Sequence, residues 1–287
     1  MLLAGTMLAA VVITAGTTAT LVAIEPTGSK AEALKTGGLA GGAVIALYAL
    51  WLNDRRRRTE EARHELESDK VADERFARSV ELLGNAADQV RVGALHALAG
   101  LARSSPRYRQ TVLDVLCAYL RMPITDDTNG RERQVRLTAQ RLITDTLPWG
   151  HDPDPRAFHL DLTGATLENF RLEGRRIGRL VASHSRFHGV AALGELRATK
   201  PVLLTGAVFD GRVDLHHAQL AGGLSLRDAT FAGEVTITGA AVGTFLDVRT
   251  TPPAGLTGTL SVTDGTARID GDPTPWIRER IGSQTAE

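Results

Sequence analysis

From Gly206 to Arg249 the chain repeats itself every eleven residues: GAVFDGRVDLH, HAQLAGGLSLR, DATFAGEVTIT, GAAVGTFLDVR. Alanine stands second in each line (Ala207, Ala218, Ala229, Ala240), and apolar residues stand fourth (Phe209, Leu220, Phe231, Val242). Apolar residues also recur eighth (Val213, Leu224, Val235, Leu246) and tenth (Leu215, Leu226, Ile237, Val248). Upstream, apolar positions fall every five residues, at Leu162, Leu167, Leu172, Ile177, Ala182 and Phe187. Leu160, Ala165, Phe170, Arg175, Leu180 and Ser185 lie two residues before them, and Gly164, Gly174 and Gly189 two after Leu162, Leu172 and Phe187. A period of five matches neither the helix nor the strand, but it suits a chain that turns a corner every five residues. Eleven is also the hendecad period of a right-handed coiled coil; the glycines and the Val, Thr and Ile between them make a poor helix and exclude that reading. Read as five plus six, two lines make one square coil of 22 residues. Phe209-type and Leu215-type side chains then point inward, and stacked coils share a core. Residues 191–201 break the pattern. After Arg249 the phase slips at Pro252 and Pro253, a further partial coil follows, and Trp276 and Ile277 are expected to lie across its open end.

The preceding hundred residues follow helical periodicity. Residues 59–83 form an amphipathic helix through Val71, Phe76, Val80 and Leu83, closed by Gly84 and Asn85. Asp88 opens the next, with Val92, Leu95, Leu98 and Leu101 at i, i+3 spacing. Ser105 and Pro106 begin a third, which Pro123 ends, and a fourth runs over 131–147 to Pro148. Paired amphipathic helices with short links suggest a small module of HEAT type.

Two further stretches carry no charge: residues 2–24 and residues 36–53, the second followed at once by Arg55, Arg56, Arg57 and Arg58. A bilayer span needs about 20 apolar residues, and cytoplasmic flanks are rich in Lys and Arg. The expectation is a transmembrane helical hairpin with Glu25 to Lys35 outside and everything beyond the arginines in the cytoplasm. The rival, a cleaved signal peptide over the first stretch, lacks a basic leading region. The expected division is a hairpin over 1–53, a cytoplasmic α-helical module over 54–148, a linker over 149–156, a β-helix over 157–270 and a cap over 271–287.

Composition narrows the function classes. The net charge is zero, so no nucleic-acid partner is expected for the chain as a whole. Cys117 is the single cysteine, and it lies on the apolar side of a helix as a small hydrophobe. His216 and His217 are adjacent and point to opposite sides of a coil. His184 and His188 are four apart, but outside a helix. His151, Asp152 and Asp154 sit in a proline-broken segment. None of these carries the context a metal or catalytic motif needs, so no catalytic residue, cofactor or metal is assigned. Arg55 to Arg58 are read as topology-setting, lipid-facing residues, and Arg176, Arg179 and Arg186 as a candidate docking strip.

Taken together, the five-residue repeat and the elevens resemble the pentapeptide-repeat proteins, which implies a right-handed quadrilateral β-helix over residues 157–249. The family's usual Asp or Asn before the central residue is mostly missing. DERFARSVELLG, VRVGALHALAGLA, RQTVLDVLCAYLRMP and ERQVRLTAQRLI resemble the helical segment of membrane-anchored pentapeptide-repeat proteins common in actinobacteria. The resemblance implies the fold class α plus β-solenoid, with a transmembrane hairpin, at the plasma membrane. It transfers no activity. The expected function is a non-catalytic, membrane-anchored scaffold or adaptor whose partners are membrane lipids and an unidentified protein, with homo-oligomerisation left open. Some soluble members of the wider family mimic DNA and protect DNA gyrase; that needs an acidic rod, whereas residues 157–249 carry nine acidic and ten basic side chains.

Overall fold

The computed structural model describes residues 11–16, 19–20, 23, 30–124, 130–153 and 156–280. The chain forms two compact units, Met1–Val71 and Ala72–Glu287.

The expected membrane hairpin is not supported. Residues 36–53 are one stretch of a single 54-residue helix, α1 (Lys30–Leu83), which already includes residues 30–35 of the loop expected outside. Four glycines, Thr36, Tyr48 and Asn53 dilute the apolar run. The helix then passes without a break through the arginines into a charged segment, where Arg58 and Asp54 pair at 2.8 Å. Among the described residues no helix is long and apolar enough to cross a membrane, so the multi-pass plasma-membrane placement is withdrawn with the hairpin. Of the first expected span, 2–24, only the helical residues 11–16, 19–20 and 23 are described, and the rest lies outside the described residues.

The second unit starts with the end of α1 and three more helices: α2 (Asp88–Ser104), α3 (Arg109–Arg121) and α4 (Arg131–Thr146), with a 3-10 turn at Pro106–Tyr108. Their i, i+3 apolar positions become one core in which Leu95, Leu98, Val112, Leu113, Leu116, Leu120 and Ile143 are fully buried. Phe76 of α1 stacks on Tyr108 at 5.6 Å.

From Leu160 the chain winds into a β-solenoid of about five turns, built of four all-parallel sheets. Sheet I contains Leu160–Asp161, Leu180–Val181, Val202–Leu203, Leu224–Ser225, Phe245–Asp247 and Arg268–Asp270. Sheet II contains Thr166–Glu168, Arg186–His188, Val208–Phe209 and Thr230–Phe231. Sheet III contains Ala191–Ala192, Val213–Asp214, Val235–Thr236 and Leu256–Thr257. Sheet IV contains Arg176–Ile177, Arg197–Ala198, Gln219–Leu220, Ala241–Val242, Leu260–Val262 and Ile277–Arg280. Leu180 pairs with Val202, Val202 with Leu224 and Leu224 with Leu246, so each of these coils takes 22 residues, as the doubled eleven requires.

The residues of the repeat expected inside are inside, except Phe231, which is half-buried. Phe209, Leu215, Leu220 and Leu226 are at most 1% exposed, and the alanines of the repeat at most 3%. Residues 191–201 are no interruption. Ala191, Leu193, Leu196 and Ala198 are buried, and their strands pair in register with the following coil and, through Arg197–Ala198 and an isolated Arg171–Ala192 bridge, with the preceding one. What changes at Ser185 is the step: inward positions fall every five residues before it, and alternately six and five after it (185, 191, 196, 202, 207, 213). Ladder hydrogen bonds hold the register, and the corners absorb the extra residue.

A continuous hydrophobic core runs from Leu83 to Trp276. Within it Phe187, Phe209 and Phe231 stack at centroid distances of 4.6 and 5.2 Å. Trp276, fully buried, tilts over Phe231 at 6.3 Å, whereas Ile277, expected beside it across the open end, begins the last strand of sheet IV and pairs with Leu260. At the other end the helical module covers the first coil. Arg136, on α4 and 4% exposed, donates to the Met122 carbonyl at 3.0 Å and to the Leu120 carbonyl, which end α3, and reaches the Thr166 carbonyl at 3.4 Å. Gln110 of α3 treats His159 as a strand would: its amide donates to the His159 carbonyl at 2.9 Å and its oxygen accepts from the His159 N–H at 2.8 Å. Gln110→Ala removes both partners from an open ladder edge. It is expected to lower stability by about 1–3 kcal/mol, read by urea unfolding; a loss below about 0.5 kcal/mol would mean that water satisfies this edge equally well.

Candidate functional site: a basic patch on the first two coils

Strand alternation turns Ile177 and Ala198 inward, at 0 and 2% exposure, and so turns Arg176 and Arg197 out. The two strands pair with Arg176 directly beside Arg197, about 4.8 Å apart along the axis. Three residues further on, at the corner leading to sheet I, the same stacking brings Arg179 beside Lys200, whose N–H donates to the Gly178 carbonyl at 2.8 Å. Two like-charged pairs thus sit one above the other on adjacent coils, an arrangement that costs stability when nothing neutralises it. Arg176 donates to the Gly150 carbonyl at 2.6 Å. Arg179, Arg197 and Lys200 make no ion pair with any described residue.

Neighbouring groups sharpen the positive field. His159 Nδ1 accepts from the Arg179 N–H at 3.0 Å. Burial first, and then the charges of Lys200 and Arg179, hold its pKa below the ordinary histidine value. Segment 149–150 pairs with the rod, the Gly150 N–H donating to the Gly174 carbonyl at 2.7 Å. Beside it Trp149 stays 48% exposed, with the buried Arg175 guanidinium 3.7 Å above its ring.

Elsewhere on the rod, Arg186, Arg227, Arg249 and Arg268 hold carboxylates, while the exposed Arg171 and Arg212 make no ion pair with any described residue. Arg186 grips Asp210 with two bonds of 2.8 and 3.1 Å, and His188 joins the same carboxylate at 2.8 Å. Arg249 binds Asp247 at 2.5 Å, Arg268 binds Asp270 at 2.8 Å, and Arg227 binds Asp228 at 3.2 Å. The Arg186 hydrogen bond holds the Asp210 carboxyl below its usual range, and the Arg249 bond does the same for Asp247.

Of the three arginines expected as a docking strip, Arg176 and Arg179 therefore share a surface, while Arg186 stands on sheet II, across the coil. Arg55 to Arg58 lie within α1, the Arg55 guanidinium 5.4 Å above the Trp51 ring. Sequence reasoning misses Arg197, Lys200 and His159. A signal is present: Arg176 and Arg179 recur as Arg197 and Lys200 with the same three-residue gap, 21 positions on.

The other histidines singled out in the sequence, and the cysteine, are placed as follows. His216 bonds Asp214 at 2.7 Å, and its backbone and side-chain hydrogen bonds outweigh burial to hold the Asp214 carboxyl low. The His217 ring lies 80° to that of His216, and it covers Gly239 on the next coil. The His184 ring covers Gly206 in the same way. His151 stacks on Trp149 at 6.0 Å, and Asp154 lies outside the described residues. Among the described residues no group of three His, Cys, Asp or Glu could hold a metal ion. Cys117 is buried, and burial pushes its thiol up to about 12. A 280 Å³ cavity in the helical module lies over Arg91, Tyr119 and Glu132. Arg91 holds Asp88, Glu132 and the Tyr119 hydroxyl, which donates to Glu132 at 3.0 Å, while the buried Arg91 Nε has no partner among the described residues.

Compared with known proteins, the chain matches no family model, no curated protein and no solved structure. What stands is the fold itself, a four-sided β-solenoid consistent with a pentapeptide-repeat β-helix.

Proposed function

We propose that the protein is a non-catalytic scaffold or adaptor, whose β-solenoid presents rigid outer sheets to a partner protein. The observation that carries this reading is the single core running from the helical module through every coil to Trp276. It fixes the outward side chains of each sheet relative to one another at the coil spacing, which suits an extended docking surface. Support for a non-catalytic role comes from the titratable groups themselves, since Asp210, Asp214, Asp247 and Cys117 each have a structural reason for their environment.

The test is site-specific photo-cross-linking of the full-length protein in cells, with the cross-linker at Gln219 on sheet IV, Thr236 on sheet III or Arg103 on α2. A docking rod gives a discrete adduct from a sheet position and none from Arg103. Adducts from Arg103 alone would move recognition to the helices and overturn the reading.

A further inference from the structure

We infer that the patch formed by Arg176, Arg179, Arg197 and Lys200 is the docking site for an extended acidic segment of a partner protein. The inference rests on the scaffold reading and names the chemistry of its partner. Three observations carry it.

The first is the stacking of like charges. Arg186, Arg227, Arg249 and Arg268 all hold carboxylates, whereas Arg179, Arg197 and Lys200 make no ion pair with any described residue, Arg179 only adding at longer range to the charges that hold the Asp161 carboxyl low. Repulsion across adjacent strands makes this surface less stable than a neutral one, and a carboxylate lodged between the stacked cations reverses the sign of that interaction.

The second is an axial asymmetry hidden by the neutral total. Residues 157–212 carry eight basic and five acidic side chains, and residues 213–277 carry three basic and seven acidic. The far coils repel an anion that the near coils attract, so the field draws an acidic ligand to the first two coils and discourages it from lying along the whole rod. This favours a short acidic stretch over a nucleic acid, because a duplex extends its phosphates well past one coil spacing.

The third is shape. The patch is a two-by-two grid on a sheet face and its corner, with spacing of about 4.8 Å along the axis. Carboxylates on one side of an extended strand repeat at about 6.6 Å, within the sweep of arginine and lysine side chains. Trp149, half exposed at the edge of the grid, offers an apolar contact of the kind that anchors interfaces.

The experiment measures fluorescence anisotropy of a labelled polyglutamate, about ten residues long so that it spans the grid, with the full chain at low salt. It compares the parent protein with the double variant R197Q/K200Q and an equal-charge control, R212Q/R227Q. The expected result is saturable binding that weakens on the order of tenfold in the patch variant, changes less than about twofold in the control, and fades with salt. The patch variant should melt at or slightly above the parent temperature, since it relieves repulsion, so lost binding cannot be blamed on lost fold. No binding, or equal binding by both variants, overturns the inference. So does tighter binding of a DNA duplex of about two helical turns through the same residues. Salt-sensitive self-association lost in the patch variant also overturns it, because the acidic coils of a second copy would then be the occupant. A sheet IV cross-link that persists in R197Q/K200Q would leave the scaffold reading standing and remove only the patch; no cross-link from any sheet position would remove the scaffold reading itself.

Discussion

Phe209→Ala is expected to lower the unfolding free energy by about 3–5 kcal/mol, the range for removing a buried phenylalanine. Phe209 is 1% exposed and lies between Phe187 and Phe231, with ring planes 14° and 3° from its own. The cavity left by truncation has an aromatic ring on either side, and neither can move into it without leaving its own coil. Each coil touches only its neighbours, so stability in such a fold is close to a sum of coil and interface terms. Removing the middle ring weakens two interfaces at once. Urea unfolding should therefore show a lower midpoint and also a shallower slope, as the two halves of the rod begin to melt separately. Phe231→Ala should cost less, because Phe231 is only half-buried and closes the edge of its sheet. A loss at Phe209 below about 1.5 kcal/mol would mean that the rings do not form one stack.

The coil is legible in the sequence because inward residues must recur at the coil's own period, and the elevens show it without ambiguity. The phase change at Ser185 is not legible. Counting by fives from Ser185 lands on Val190, one residue short of the buried Ala191, so the next coil looks irregular although its hydrogen-bond register is unbroken. Residue number is a poor ruler for a fold whose corners accept five or six residues. The basic patch is hidden for the same reason. Arg197 and Lys200 align with Arg176 and Arg179 only once the coil length between them is known. Arg186 looks like a third member because it is near in sequence, but half a turn carries it to the other side. Charge counting misleads in two further ways. Arg175 occupies an inward position in the five-residue pattern and is buried, donating to the Leu147 carbonyl at 3.0 Å. Arg136 is buried among carbonyls at a helix end that composition cannot locate. In the N-terminal third, the window 36–53 suggests a span because it carries no charge, but four glycines, Thr36, Tyr48 and Asn53 leave it short of the apolarity that a span requires.

Gly222→Ala is expected to cost at least about 3 kcal/mol, at or beyond the upper end for overpacking, and to shift the melting temperature more than any surface substitution on the rod. A Cβ at Gly222 would stand 2.1 Å from the Lys200 carbonyl carbon and 2.4 Å from the Pro201 nitrogen. These are backbone atoms of the preceding coil, held by the sheet I and sheet IV ladders on either side of the corner, so they cannot swing aside as a side chain would. The coils must part, and the hydrogen bonds around the corner lengthen with them. Gly164→Ala supplies the contrast. Gly164 has a φ of +69° but open space where a Cβ would go, so its substitution carries only the left-handed backbone cost of about 1–2 kcal/mol. Comparing the two by thermal and urea unfolding separates close approach from backbone conformation. If Gly222→Ala were no worse than Gly164→Ala, the coils would not be as tightly apposed at this corner as the structure has them. The same substitution also displaces Lys200, which sits directly beneath Gly222. Any protein that still folds should then bind polyglutamate more weakly, without a single charge having been changed.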